Sequence, residues 1–317
     1  MKLLVVGFDG AGYNTYGQMF VDRLKSQWKV EAKAHKVLSP IPLSGTAWTS
    51  VYTGLPASVH GVTDVWARAE RGSKCHGDWI NECFWNKLDG KRVASANMPM
   101  TYPPSKTEPF FVAGFSQQGP VWQHPNTLRL PTAYKKWSDV TNIRGDYCKW
   151  LRDLDIVEMT EAVGMYMVEL ALWHGNMAER LGGADLYMVG HSHPDKLLHA
   201  YGNTDLLESG LTWRSLLFEY MARSLDASIR LIDPDRIIII SDHGFEEPGT
   251  LHTPDALLVT VNVDTSTLKD EVTVCDIAPL VLEQYGVSVG RHGADAYSPE
   301  EWEVVKARMV ALGYFEE

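Results

Sequence analysis

The sequence predicts an α/β fold: a three-layer, doubly wound and mainly parallel sheet with helices on both faces. Three observations carry this expectation. Short continuous apolar runs recur along the chain, as they do in strands buried on both faces. Amphipathic helical stretches alternate with them. Several runs end in loops that carry Asp or His, at the carboxyl edge where open α/β sheets assemble their sites.

The first run is LLVVG at 3 to 7, followed by Phe8-Asp9-Gly10. KRVASAN at 91 to 97 is a weaker strand. Residues 156 to 181 read as a long amphipathic helix stopped by Gly182 and Gly183. ADLYMVG at 184 to 190 is a strand followed by HSHPD, and 211 to 232 is a second long helix. RIIIIS at 236 to 241 ends in Asp242-His243-Gly244, and ALLVTVN at 256 to 262 is a fifth strand. DIAPLVLEQYG at 276 to 286 is a helix with an acidic start and a glycine stop. PEEWEVVKARMVALGY, 299 to 314, opens with Pro299 and two glutamates, as a helix N-terminus does. Residues 98 to 150 interrupt the alternation with prolines and aromatics, which suggests a cap or lid inserted in one domain spanning 1 to 317.

Composition narrows the function. A formal charge of −11 lacks the basic stripe that a nucleic-acid duplex requires, yet leaves room for a small anionic substrate beside a metal ion. No apolar run reaches the length of a membrane span, and the N-terminal run is too short for a signal peptide, so a cytoplasmic protein is expected. Cys75, Cys83, Cys148 and Cys275 form no CxxC pair. Oligomeric state leaves no mark in the sequence.

The chemistry-bearing residues stand at strand ends. Asp9 follows the first strand and Asp242-His243 follows RIIIIS, while Asp195 and His199 are four apart, on one face if helical. His252 lies in the loop before the last strand. Each signal alone is no more than a turn cap; together they suit a divalent ion with mixed Asp and His ligands, zinc first and manganese second. His191 and His193 are rival or supporting groups. The stretch IPLSGTAWTSVYTGLPASVHGV, 41 to 62, places Ser44 and Thr46 before an apolar helix. Ser44 either caps that helix or holds a hydroxyl where an anion would bind.

The order GFDG, PLSGTAWTSVYTGLPASVHGV, DLYMVGHSHPDKLLH, IIIISDHGF and LHTPDALLV resembles the alkaline phosphatase superfamily, most of all its type I phosphodiesterase/nucleotide pyrophosphatase branch. VASANMPMTYPP and VCDIAPLVLEQYGV extend the resemblance over most of the chain; it is weakest between 105 and 150. The resemblance implies two divalent metal ions. One would be held by Asp9, Ser44, Asp242 and His243, and the other by Asp195, His199 and His252. It also implies a nucleophile at Ser44, counted back from Thr53-Gly54, where relatives mostly carry Thr; Thr46 is the runner-up. Val65 stands where nucleotide pyrophosphatases carry an Asn, with Thr63 or a backbone amide as substitute. Ser44 is followed by Gly-Thr-Ala-Trp rather than x-Pro-x-Arg, which sets the sulfatase branch aside.

The expected activity is hydrolysis of a small phosphodiester, nucleotide-like, through a covalent intermediate on Ser44. A phosphomonoesterase or phosphonate monoester hydrolase is the alternative within the fold, and an inactive metal/phosphate-binding module the alternative outside catalysis. Trp66, Tyr102 and Trp122 are candidates for a stacking wall, or simply for core and lid packing.

Overall fold

The computed structural model describes residues 1–62, 76–102, 104–105, 107–114, 156–203, 212–247, 249, 251–292 and 307. Its centre is an eight-stranded sheet. In chain order the strands are β1 (Leu3–Phe8), β2 (Ala32–Leu38), β3 (Val93–Ala96), β4 (Pro109–Val112), β5 (Leu186–His191), β6 (Arg236–Ile240), β9 (Asp255–Val261) and β10 (Val272–Thr273). A separate two-stranded antiparallel ribbon joins β7 (Gly244–Phe245) to β8 (His252–Thr253). The sheet order is β10-β2-β9-β6-β1-β5-β3-β4. Among the described residues, only β9 runs against its neighbours, pairing antiparallel with both β2 and β6.

The helices are α1 (Tyr13–Arg23), α2 (Ser44–Thr53), α3 (Ala57–His60), α4 (Ile156–Arg180), α5 (His193–Tyr201), α6 (Trp213–Ile232) and α7 (Ile277–Glu283). Period-two alternation along β1 splits the core into two. Leu4, Val6 and Phe8 join α1, α4 and α6 on one face, while Leu3 and Val5 join α2 and α7 on the other. The result is the three-layer arrangement that fully apolar central strands require.

Local chemistry sets the element ends. Thr212 caps α6 by accepting from the Ser215 amide, and α4 stops before Gly182 and Gly183, both at positive φ. The helix expected over 276–286 is shorter at both ends: the Thr273/Asp276 capping box closes a 3-10 turn over Val274–Asp276 before it, and the chain passes into a turn after Glu283. The helix expected over 299–314 lies almost wholly outside the described residues.

Residues 109–112, at the start of the expected cap, form the edge strand β4. The remainder, from 115 to 150, lies outside the described residues. Among the described residues, no helix is long and apolar enough to cross a membrane.

Candidate metal and phosphoester site

Parallel strands β1, β5 and β6 are adjacent, so their carboxyl ends meet on one edge. Asp9 follows β1 and Asp242-His243 follow β6, all three fully buried. From the end of β5 the chain turns into α5, where Asp195 and His199 lie one turn apart. Ribbon strand β8 supplies His252. Gly10, at φ 75°, lets the loop after β1 pass Phe245, which a Cβ would meet at 2.7 Å.

Two groups form. Asp195 Oδ1 lies 3.4 Å from His199 Nε2 and 3.3 Å from His252 Nε2, and the two imidazole nitrogens are 2.9 Å apart. Asp9 Oδ1 lies 3.6 Å from His243 Nε2, which is 3.3 Å from Asp242 Oδ2. Asp195 joins the groups, its Oδ1 being 3.8 Å from His243 Nε2.

Ser44 is the first residue of α2; the N-cap position is Leu43. Its hydroxyl caps no amide of α2. Instead Ser44 Oγ donates to Asp9 Oδ1 at 3.2 Å and lies 3.3 Å from His243 Nε2. Thr46 Oγ1 donates away from the cluster, to the Val62 carbonyl at 2.8 Å.

Backbone carbonyls orient the imidazoles. His243 Nδ1 donates to Gly244 O at 3.1 Å and His252 Nδ1 to Pro42 O at 2.6 Å. With Nδ1 carrying the proton, each Nε2 presents its lone pair to the cluster, as a metal-ligating histidine does. Phe245 packs against all three rings, with centroids 5.0 Å from His199, 5.6 Å from His243 and 4.7 Å from His252.

The electrostatics call for a cation. Burial, reinforced by the charges of Asp242 and Asp195, pushes the Asp9 carboxyl well above its ordinary range, and burial pushes Asp242 up to about 7. Burial would raise Asp195 as well, but the adjacent His199 outweighs it and holds that carboxyl well below its ordinary range. Burial keeps His243 low and brings His252 down to about 3, so both rings are neutral at pH 7. Asp9 Oδ2 and Asp242 Oδ2 are buried and accept no hydrogen bond among the described residues. Buried carboxylate oxygens without donors are costly, and converging with neutral imidazole nitrogens they make a set of groups able to hold a metal ion. The residues therefore fit a metal.

His191 is not part of the cluster. It shares a face of β5 with Tyr187 and Val189, stacks on Phe8 at 5.2 Å and bonds Ser224 Oγ of α6 at 2.7 Å. His193 packs edge-on against Tyr166 of α4 at 4.8 Å. Tyr102 is half-buried in the loop after β3, and among the described residues no hydrogen bond or ring contact ties it to the Asp/His cluster. Thr63, Val65, Trp66, Cys75, Trp122 and Cys148 lie outside the described residues. Sequence reasoning gave no role to Phe245 or to the Pro42 carbonyl. The phenylalanine stands in the quoted IIIISDHGF and was legible there, whereas a backbone carbonyl leaves no trace in residue identity.

On this mainly parallel α/β sheet, the sequence assigns the chain to a class, the hydrolases that act on phosphoric ester bonds. The chain belongs to the type I phosphodiesterase/nucleotide pyrophosphatase family, which its sequence matches over residues 3–295. No curated protein matches the sequence. Among solved structures it is similar to the putative sulfatase yidJ from Bacteroides fragilis, at 12% identity and TM-score 0.50, over 96% of this chain and 78% of that one. It is also similar to murine ectonucleotide pyrophosphatase/phosphodiesterase 5, at 11% identity and TM-score 0.46, over 96% of this chain and 99% of that one. Phosphonoacetate hydrolase from Sinorhizobium meliloti aligns at 13% identity and TM-score 0.43, over 77% of this chain and 56% of that one. At such identities the first likeness speaks for the fold alone.

Proposed function

We propose that this hydrolase cleaves a small, nucleotide-like phosphodiester by two successive displacements, with Ser44 as nucleophile and two divalent ions as cofactors. The observation that carries the reading is the setting of the Ser44 hydroxyl. It sits at the first residue of a ten-residue helix, 3.2 Å from Asp9 Oδ1 and 3.3 Å from His243 Nε2.

Asp9, Asp242, His243 and Ser44 would hold one ion, and Asp195, His199 and His252 the other, zinc in the first instance and manganese in the second. When bound, the ions lower the pKa of the serine hydroxyl and neutralise charge on the phosphoryl oxygens. In the first displacement the Ser44 Oγ–P bond forms as the bond from phosphorus to the leaving alcohol breaks, and the alcohol departs with a proton. In the second, water attacks phosphorus and Ser44 Oγ leaves, recovering its proton. The N-terminal turn of α2 favours the anion throughout, because its first amides lack intrahelical acceptors. Imidazoles held neutral by burial keep their lone pairs available at pH 7.

Comparison of bis-p-nitrophenyl phosphate with p-nitrophenyl phosphate, in zinc and in manganese, tests the substrate class. The diester is expected to give the higher kcat/KM. A monoester preference would move the protein to the phosphomonoesterase reading. Absence of turnover by folded, metal-loaded protein would favour the inactive binding module.

A further inference from the structure

The Asp195, His199 and His252 set draws on two elements that share no strand pairing. Asp195 and His199 come from α5, and His252 comes from the far end of the loop that follows Phe245. One cation on a third element ties them. Arg214, the second residue of α6, directs Nη2 at Glu246 O (2.9 Å), Gly202 O (3.2 Å) and Gly249 O (3.4 Å). Gly202 is the C-cap of α5, three residues past His199; Glu246 and Gly249 lie in the loop leading to His252. The Gly249 amide closes the same junction by donating to Gly202 O at 3.0 Å, and a Cβ on Gly202 would run into the Gly249 carbonyl. Arg214 Nε faces Glu247 at 3.8 Å, and its guanidinium lies 5.7 Å over the Trp213 ring, which fixes the side chain from a second side.

We propose that Arg214 is the positioning residue of the Asp195, His199 and His252 site, clamping the capping carbonyl of α5 to the His252 loop so that the two imidazoles meet at one ion. The inference rests on the reading of those three residues as metal ligands. Arg214 touches none of them. It acts through the loop carbonyls, which separates it from a ligand and from a group that contacts substrate. Arg214 keeps a full positive charge here: the two hydrogens of Nη2 are shared among the three carbonyls, while Nε on the same rigid plane is left to face Glu247.

The test is zinc binding to the full, metal-free chain by calorimetry, with cobalt spectra reporting each site's geometry. Wild type is expected to bind in two steps. Arg214→Ala is expected to weaken one step by about 10–100-fold, the range for groups that orient metal ligands, and to leave the other within about threefold. The weakening should persist in an Asp242→Asn background, where only the Asp195 site remains. It should vanish in a His199→Ala background, where that site is already broken. Arg214→Lys should recover part of the affinity, and it carries the test alone if Arg214→Ala does not fold. Equal weakening of both steps, or of neither, overturns the proposal while leaving the metal reading intact. Zinc binding unchanged by His199→Ala overturns the metal reading and the proposal together.

Discussion

Replacing Ser44 by alanine is expected to lower diester kcat by about 10⁴-fold or more, the loss seen when a covalent nucleophile is removed and only electrostatic and binding contributions remain. The neighbouring variant Thr46→Ala is expected to stay within about tenfold of wild type, since the lost bond is a structural one worth about 1 kcal/mol of stability. The geometry separates the two hydroxyls: Ser44 Oγ faces Asp9 and His243, whereas Thr46 Oγ1 is committed to the Val62 carbonyl. Steady-state kinetics at saturating zinc, with circular dichroism to confirm folding, measure both. Activity that survives Ser44→Ala and disappears in Thr46→Ala would put the nucleophile two residues further along α2.

A second large effect concerns metal, pH and stability. In the metal-free protein the folded pKa of Asp242, about 7, lies above that of an unfolded aspartate, and Asp9 is raised in the same direction. Through Asp242 the folded state then binds more protons than the unfolded state between about pH 4 and pH 7, so its contribution to stability falls as pH rises through that window, and Asp9 acts with the same sign. Asp195 has the opposite sign. Its depressed pKa gives stability that is present above the unfolded value and is lost only in stronger acid. Divalent ions bind the ionised carboxylates and displace those protons, so metal stabilisation should grow as pH rises, the Asp242 part of that growth ending near pH 7. At a thousandfold excess over Kd the gain is about 4 kcal/mol, and it should shrink by about 1.4 kcal/mol per pH unit for each proton displaced below that level. Scanning calorimetry at pH 5.5, 6.5 and 7.5, with and without zinc, reads this directly. A zinc-induced rise in Tm that is flat with pH, or largest at pH 5.5, contradicts the account.

Much of this was legible in the sequence because it sits where strands end. Continuous apolar runs marked β1, β5, β6 and β9, and the polar residues at their ends led to Asp9, Asp195, Asp242 and His243. Strand β2 was missed because Lys33, His35 and Lys36 mask its apolar alternation, and β4 because its four residues begin with proline. Helix α1 was missed because Asn14, Thr15 and Gly17 are poor helix formers; burial of Tyr16, Gly17 and Phe20 against the sheet overrides that preference. The side chain of His191 could have been assigned by alternation, since a residue two positions after Val189 shares its face of β5 and so belongs to the layer of α4 and α6. The junction made by Arg214 had no sequence signal at all. Its partners are backbone carbonyls 12 to 35 residues away, brought to one nitrogen only by the folded chain.

The central claim, two displacements through Ser44, is tested most directly by stereochemistry at phosphorus. The substrate is a single enantiomer of a p-nitrophenyl phosphorothioate diester, hydrolysed in oxygen-18 water, with the configuration of the product assigned by phosphorus NMR. Each in-line displacement inverts the centre, so a covalent intermediate on Ser44 predicts net retention. Net inversion would mean that water attacks the diester in a single step, and Ser44 would then have no place as the nucleophile.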